Sequence, residues 1–178
     1  MCTEATRARQ RGISMIELVV FIVVVGIGVA GILTVLNTTV ARSADPLPAK
    51  QALAIAESLL EEVQLAAFTW CDPDDANVLT AAGPGDCATL AEGMGPEPGD
   101  SRPFDNVNDY HLFAMTGISD LTGAPITGLG AYNASVAVAV DTLNGAPALL
   151  ITVTVTGPGA TNVSLSGYRT RYAPNSVP

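Results

Sequence analysis

The sequence predicts an α+β protein: a long N-terminal helix, transmembrane in its first half and amphipathic in its second, packed on a C-terminal antiparallel β-sheet. Three observations predict it. An uncharged apolar run covers 18–36, an apolar stripe at three- and four-residue spacing runs through 49–70, and strict alternation marks the last third of the chain.

The chain has 178 residues, enough for one modest domain plus accessories. Hydrophobic residues make up 48% and charged residues only 14%, a balance that points to a membrane segment. The first twelve residues hold Arg7, Arg9 and Arg11 against Glu4, so they carry +2 of a total of −9 and the remainder sums to −11. No basic footprint is left for a nucleic-acid partner. A basic start followed by an acidic body suits a membrane protein oriented by cytoplasmic arginines.

The run from 18 to 36 contains 19 residues without a charge, and about 20 such residues span a bilayer as a helix. A secretory signal has a shorter apolar core with a small-residue cleavage site behind it. Ala41-Arg42-Ser43 is a weak match to such a site, but the run before it is too long. Glu17 stands at the amino-terminal edge of the run, where a charge is costly and reads as functional. Gly26-Ile27-Gly28-Val29-Ala30-Gly31 spells the dinucleotide fingerprint, yet it lies inside a bilayer-length helix rather than between a strand and a helix. There the glycines instead let helices approach one another.

The stretch RGISMIEL (11–18) resembles the prepilin processing site of type IV pilins and type II secretion pseudopilins. The resemblance implies cleavage by a prepilin peptidase after Gly12 and N-methylation of Ile13. It places Glu17 fifth in the mature chain, where its carboxylate seeks the positive amino terminus of a neighbouring subunit and sets register during assembly. Ile13, Ser14 and Met15 depart from the commonest Phe, Thr and Leu. The midway proline frequent in major pilins is absent.

Residues 37–50, with Pro46 and Pro48, read as a membrane exit and hinge. From 49 to 70 the apolar stripe is Leu53, Ala56, Leu60, Val63 and Ala67, with Glu57, Glu61, Glu62 and Gln64 mostly off it. Glu61 and Glu62 are read as a solvated face. QALAIAESLLEEV (51–63) and FDNVNDYH (104–111) resemble minor pilins of the mannose-sensitive haemagglutinin (MSHA) type.

Residues 71–110 are rich in Gly, Pro, Asp and Asn and read as loops. Cys71 and Cys87 remain as a pair once Cys2 is assigned to the leader, and an oxidising compartment suits their disulfide. Zinc would want a C-x-x-C and more than the single histidine, His111. Asp72, Asp74, Asp75 and Asn77 form one acidic cluster, and Asp105, Asn106, Asn108 and Asp109 another. Such loops can hold calcium, but neither has EF-hand spacing, and both are read as solvated turns with no metal and no cofactor.

Three strands follow. In 132–143, Val136, Val138 and Val140 face one side. Asn144-Gly145 is a hairpin signal, with Pro147 close enough to enlarge the loop. In 149–156, Ile151, Val153 and Val155 alternate with threonines, and 162–172 supplies the third strand, with an ambiguous face near its end. No nucleophile motif accompanies His111, and an enzyme is not expected.

The expected organisation is a leader (1–12), a transmembrane and assembly helix (13–36), a hinge (37–50), an amphipathic helix (51–70) and an exported pilin-like domain (71–178). By the resemblance, the chain would sit in the inner membrane with its leader cytoplasmic. It would then join a pilus filament, tip complex or pseudopilus through its N-terminal helix. The expected partners are other pilin subunits, the prepilin peptidase and inner-membrane lipid. A secretion pseudopilin, a tip adhesin and a signal-anchored envelope protein are the rival readings.

Overall fold

The computed structural model describes residues 12, 14–42 and 46–177, which fall into two compact units, Met1–Ala44 and Asp45–Pro178. Of the expected leader, only Gly12 lies within the described residues, and Ile13 lies outside them.

The first unit contains one helix, α1 (Met15–Arg42), opened by a backbone bond from Leu18 N–H to the Ser14 carbonyl at 3.1 Å. It continues past the expected end at Leu36 through Asn37, Thr38 and Thr39. Residues of middling propensity prolong an established helix at small cost. Inside the apolar run, the Thr34 hydroxyl donates to the Ala30 carbonyl at 2.8 Å, so it carries no unmet donor into an apolar medium.

The second unit begins with α2 (Pro46–Leu65). Both prolines expected to break the chain sit in the first turn instead, where the missing N–H has no helical partner to lose. Within the expected hinge of 37–50, residues 37–42 and 46–50 are helical, and the boundary between the two units falls between Ala44 and Asp45. At its other end α2 stops at Leu65 rather than 70. Ala67 pairs in parallel with Asn106: its N–H reaches the Asp105 carbonyl at 3.1 Å, and its own carbonyl accepts from Val107 N–H at 2.9 Å. This long-range pairing takes the groups that another helical turn would use.

The sheet has four antiparallel strands in sequential order, β1 (Ala114–Thr116), β2 (Asn133–Leu143), β3 (Ala146–Gly157) and β4 (Thr161–Thr170). β1 was not expected, because three residues are too few to show alternation. Asn144 and Gly145 both have positive φ, 51° and 81°, and Leu143 pairs with Ala146 across them. This is the tight two-residue hairpin. Pro147 does not enlarge it, and lies within β3 opposite Thr142.

One face of the sheet packs on α2. Ala134, Val136, Val138, Ile151, Val153 and Val155 are buried together with Ala52, Ile55, Ala56, Leu59 and Val63. The helical stripe is therefore rotated from the expected one, and Leu53 lies at its exposed rim. Val140 is 79% exposed, so the buried alternation of β2 ends at Val138. β4 resolves its ambiguous face by turning Val163, Leu165, Gly167 and Arg169 inward: Arg169 donates to the Ala66 carbonyl at 3.2 Å. A side chain at Gly167 would collide with the amide of Gln64. On the outer face, hydroxyl pairs Thr152–Ser166 (3.0 Å) and Thr154–Ser164 (3.3 Å) join β3 to β4.

A smaller core forms around the Cys71–Cys87 disulfide, whose Cα atoms are 5.4 Å apart, with Val78 and Ala81. The chain's end returns to cover it. Arg171 stands with its guanidinium 3.9 Å from the ring centres of both Phe68 and Trp70. The Asn175 amide donates to the carbonyls of Val78 (2.8 Å) and Ala81 (2.9 Å). Asp75 secures the loop from within, accepting from the N–H groups of Asn77, Ala88 and Thr89 and from the Thr89 hydroxyl.

Candidate functional site

Three places hold the chemistry-bearing residues. The first is α1. Glu17 lies in its first turn and is exposed, five positions after the exposed Gly12. A 23-residue span, Met15–Asn37, has mean hydropathy 3.0 and is 0% buried. At 1.5 Å per residue it is about 35 Å long, against about 30 Å of bilayer hydrocarbon. Among the described residues, sixteen large apolar side chains of α1 are exposed. At about 1.5 kcal/mol or more each, leaving them in water would cost upwards of ~24 kcal/mol, beyond the net stability of a typical domain. Among the described residues, this is the helix long and apolar enough to cross a membrane. A Cβ added at Gly26, Gly28 or Gly31 would meet nothing within 4 Å, so these positions are open to close approach by another helix.

The second place is a polar network on α2. Glu62 is not solvated, as its position off the stripe suggested. Arg102 grips it with two bonds, Nε to Oε1 at 2.7 Å and Nη2 to Oε2 at 2.5 Å, and the Tyr110 hydroxyl donates to Oε1 at 2.8 Å. The Arg102 Nη1 reaches the Ser119 carbonyl at 3.1 Å. The bonds to Glu62 raise the arginine's pKa. Burial, then the bond to Glu62, raises that of the tyrosine. Glu61 remains exposed. Beside the network lies a largely apolar cavity of about 900 Å³, lined by Ile55, Leu59, Leu65, Ile118, Leu121 and Leu129 among others. One sequence signal pointed here: Arg102 is the single lysine or arginine between Lys50 and Arg169.

The third place is acidic. The second cluster is not a set of solvated turns, for Asn106, Asn108 and Asp109 are all buried in the 3₁₀ turn around Val107–Tyr110. The Asn106 amide donates to the Thr69 hydroxyl at 2.8 Å, and its backbone N–H donates to Asp109 Oδ2 at 3.0 Å. Glu92 and Glu97, which no sequence pattern singled out, bring carboxylate oxygens to within 4.8 Å of Asp109 and of each other. Burial first, and the neighbouring negative charges next, push the carboxyls of Glu92 and Asp109 well above the usual range. In the first cluster the reverse holds. The N–H of Ala88 foremost, then that of Asn77, keeps Asp75 below the usual range.

His111 is committed to structure, its Nδ1 accepting from Val138 N–H at 3.3 Å. Cys71 and Cys87 are joined in the disulfide.

No curated protein and no solved structure matches the chain. Residues 7–33, which contain Gly12, Ile13, Glu17 and about two thirds of α1, match the family described as the prokaryotic N-terminal methylation motif. That match spans 27 of the 178 residues, and the apolar helix followed by an α+β arrangement is consistent with a pilin fold.

Proposed function

We propose that this chain is a minor type IV pilin or pseudopilin subunit, cleaved by a prepilin peptidase after Gly12 and built into a filament or its tip complex through α1. The observation that carries the reading is the methylation motif placed at the head of an exposed apolar helix, with Glu17 in the first turn. The mechanism is physical. The helix rests in the bilayer with the leader's arginines on the cytoplasmic side and the second unit exported. On assembly, other helices replace lipid around it, with Gly26, Gly28 and Gly31 allowing close contact. The Glu17 carboxylate, costly in an apolar setting, pairs with the methylated amino terminus of a neighbour and fixes register.

The first test is the amino terminus of the native, membrane-extracted protein, determined by mass spectrometry with and without the prepilin peptidase. A chain beginning at N-methylated Ile13, formed only with the peptidase, is expected. An intact leader, or a cut near Ser43, would return the protein to the class of anchored envelope proteins.

The finer assignment, a minor pilin of the MSHA type, is supported by QALAIAESLLEEV and FDNVNDYH. Each phrase also has an internal task in this chain: the first supplies Glu62 to Arg102, and the second the buried turn with Asp109. Crosslinking through α1 in the native envelope, with mass identification of the neighbours, decides between this pilus and a secretion pseudopilus. Recovery of secretion pseudopilins alone would overturn the MSHA assignment.

A further inference from the structure

We propose that the free edge of β4 is a self-pairing surface, to which β4 of a second copy of this chain adds antiparallel about a two-fold axis at Ser164. β4 (Thr161–Thr170) stands last in the sheet, bonded on one side to β3, and among the described residues no strand pairs with its other side. Successive residues of a strand aim their N–H and C=O groups to opposite sides, so about half of β4 presents its backbone outward.

An open edge is ordinary, and what sets this one apart is its lack of protection. Edge strands are commonly guarded by shortness, proline, a bulge or a charge. The opposite edge, β1, is three residues long. β4 is ten residues long, keeps register with β3 through ten consecutive pairs without a bulge, and contains no proline. From Thr161 to Tyr168 it carries no charge. On its inner face Val163 and Leu165 pack against the core beside Leu60 of α2 yet stay half-buried, while Asn162, Ser164 and Ser166 are exposed on the outer face.

These features specify the occupant. Alternating outward N–H and C=O groups are met in register by another extended backbone. A second β4 supplies one with a matching pattern. Pairing about Ser164 sets Val163 against Leu165 on the inner face, once on each side of the axis. On the outer face it sets Ser164 against Ser164 and Asn162 against Ser166, extending the hydroxyl pairs Thr152–Ser166 and Thr154–Ser164 that already join β3 to β4. The paired stretch is 160–168, which is uncharged, leaves Arg169 beyond the last pair and allows about eight to ten backbone bonds. Shifting the axis to Leu165 would oppose Val163 to Gly167 and draw Arg169 into the pairing. Charge favours this edge as well: at a net −9 two copies repel, and an uncharged strand is where they can touch without opposing like charges.

The test is oxidative crosslinking of the full chain in detergent, in a Cys2→Ser background where the other two native cysteines are already joined as Cys71–Cys87. Ser164→Cys alone should form a disulfide-linked dimer, because directly opposed residues lie about 4.5–5.5 Å apart between Cα atoms, within disulfide reach. Ser166→Cys alone should not, since the two copies of residue 166 would stand about 13 Å or more apart. Co-expressed Asn162→Cys and Ser166→Cys chains should link to each other. Adding Ser164→Lys to both should cut that linkage about fivefold by placing like charges opposite each other, while the Tm stays within about 2 °C of the parent. No dimer from Ser164→Cys, equal crosslinking of Ser166→Cys alone, or mixed linkage indifferent to Ser164→Lys would each overturn the proposal. A dimer held through α1 alone would not reproduce this pattern of positions. The contact does not depend on prepilin processing, so its failure would leave the proposed function standing.

Discussion

Replacing Arg102 with methionine keeps an unbranched side chain of similar reach and removes the guanidinium that grips Glu62. Breaking one side of a buried ion pair commonly costs about 3–5 kcal/mol, because the other charge is left uncompensated. Here the two side chains keep 14% and 15% of their exposure, and Glu62 retains the Tyr110 hydroxyl as a donor. Water and that donor take up part of the loss, which reduces the expected cost to about 2–3 kcal/mol. For a unit of this size each kcal/mol moves the Tm by about 3–4 °C, so a fall of roughly 6–12 °C is expected. Trp70 is the only tryptophan and lies in the second unit, so thermal unfolding of the detergent-held chain can be followed by its fluorescence. Adding Glu62→Met to Arg102→Met removes the stranded charge and should recover at least about 1 kcal/mol relative to the sum of the single losses. A fall below about 2 °C for Arg102→Met, or simple additivity in the double variant, would refute the view that Glu62 depends on Arg102.

Two further outcomes can be measured in the same way. Asp75 is an acid with a depressed folded pKa, so the stability it contributes is fully present above the unfolded carboxylate value near about 3.9 and is lost as pH falls through the folded value. Asp75→Asn should therefore lower the Tm at pH 6 and converge on the parent as acid is added, whereas a constant gap across that range would contradict the account. Gly157→Ala would drive a methyl into the buried ring of Tyr132, whose hydroxyl is anchored to Gln51 at 2.7 Å, and should cost about 1–3 kcal/mol in a urea titration. Gly167→Ala meets the movable amide end of Gln64, with a Leu60 methyl at an ordinary 3.4 Å, and should cost under about 1 kcal/mol; equal losses at the two positions would show that rigidity of the neighbour is not what matters.

The readable parts of this chain are those where one local rule acts alone. Periodicity of two disclosed β2, β3 and β4, and Asn144-Gly145 disclosed the hairpin, because alternation and a positive-φ turn are written in adjacent residues. Length and hydropathy disclosed α1. What escaped was set by partners far along the chain. Glu62 looked like any solvated helical acid, and its fate was decided 40 residues away by Arg102. The end of α2 was decided by pairing of Ala67 with Asn106. Glu92 and Glu97 stood in a run of Gly and Pro with no spacing to mark them, and only the folded loop places them beside Asp109. The helical stripe kept Ala56 and Val63 but was otherwise misplaced by a residue, since the alanine at 52 counts for little in a hydrophobic pattern yet lets α2 sit close on the sheet.

The return of residues 171–175 to the disulfide loop makes the closing of that loop a late event in the folding of the second unit. Phe68 and Trp70 receive Arg171 from about a hundred residues further on, and the carbonyls of Val78 and Ala81 take the Asn175 amide across a similar stretch of chain. Neither contact can form until β4 has been made, so until then the loop rests on its disulfide and on the bonds that Asp75 accepts. A chain lacking 171–175 would keep both of those ties, yet leave Val78 and Ala81 under a loosened cover.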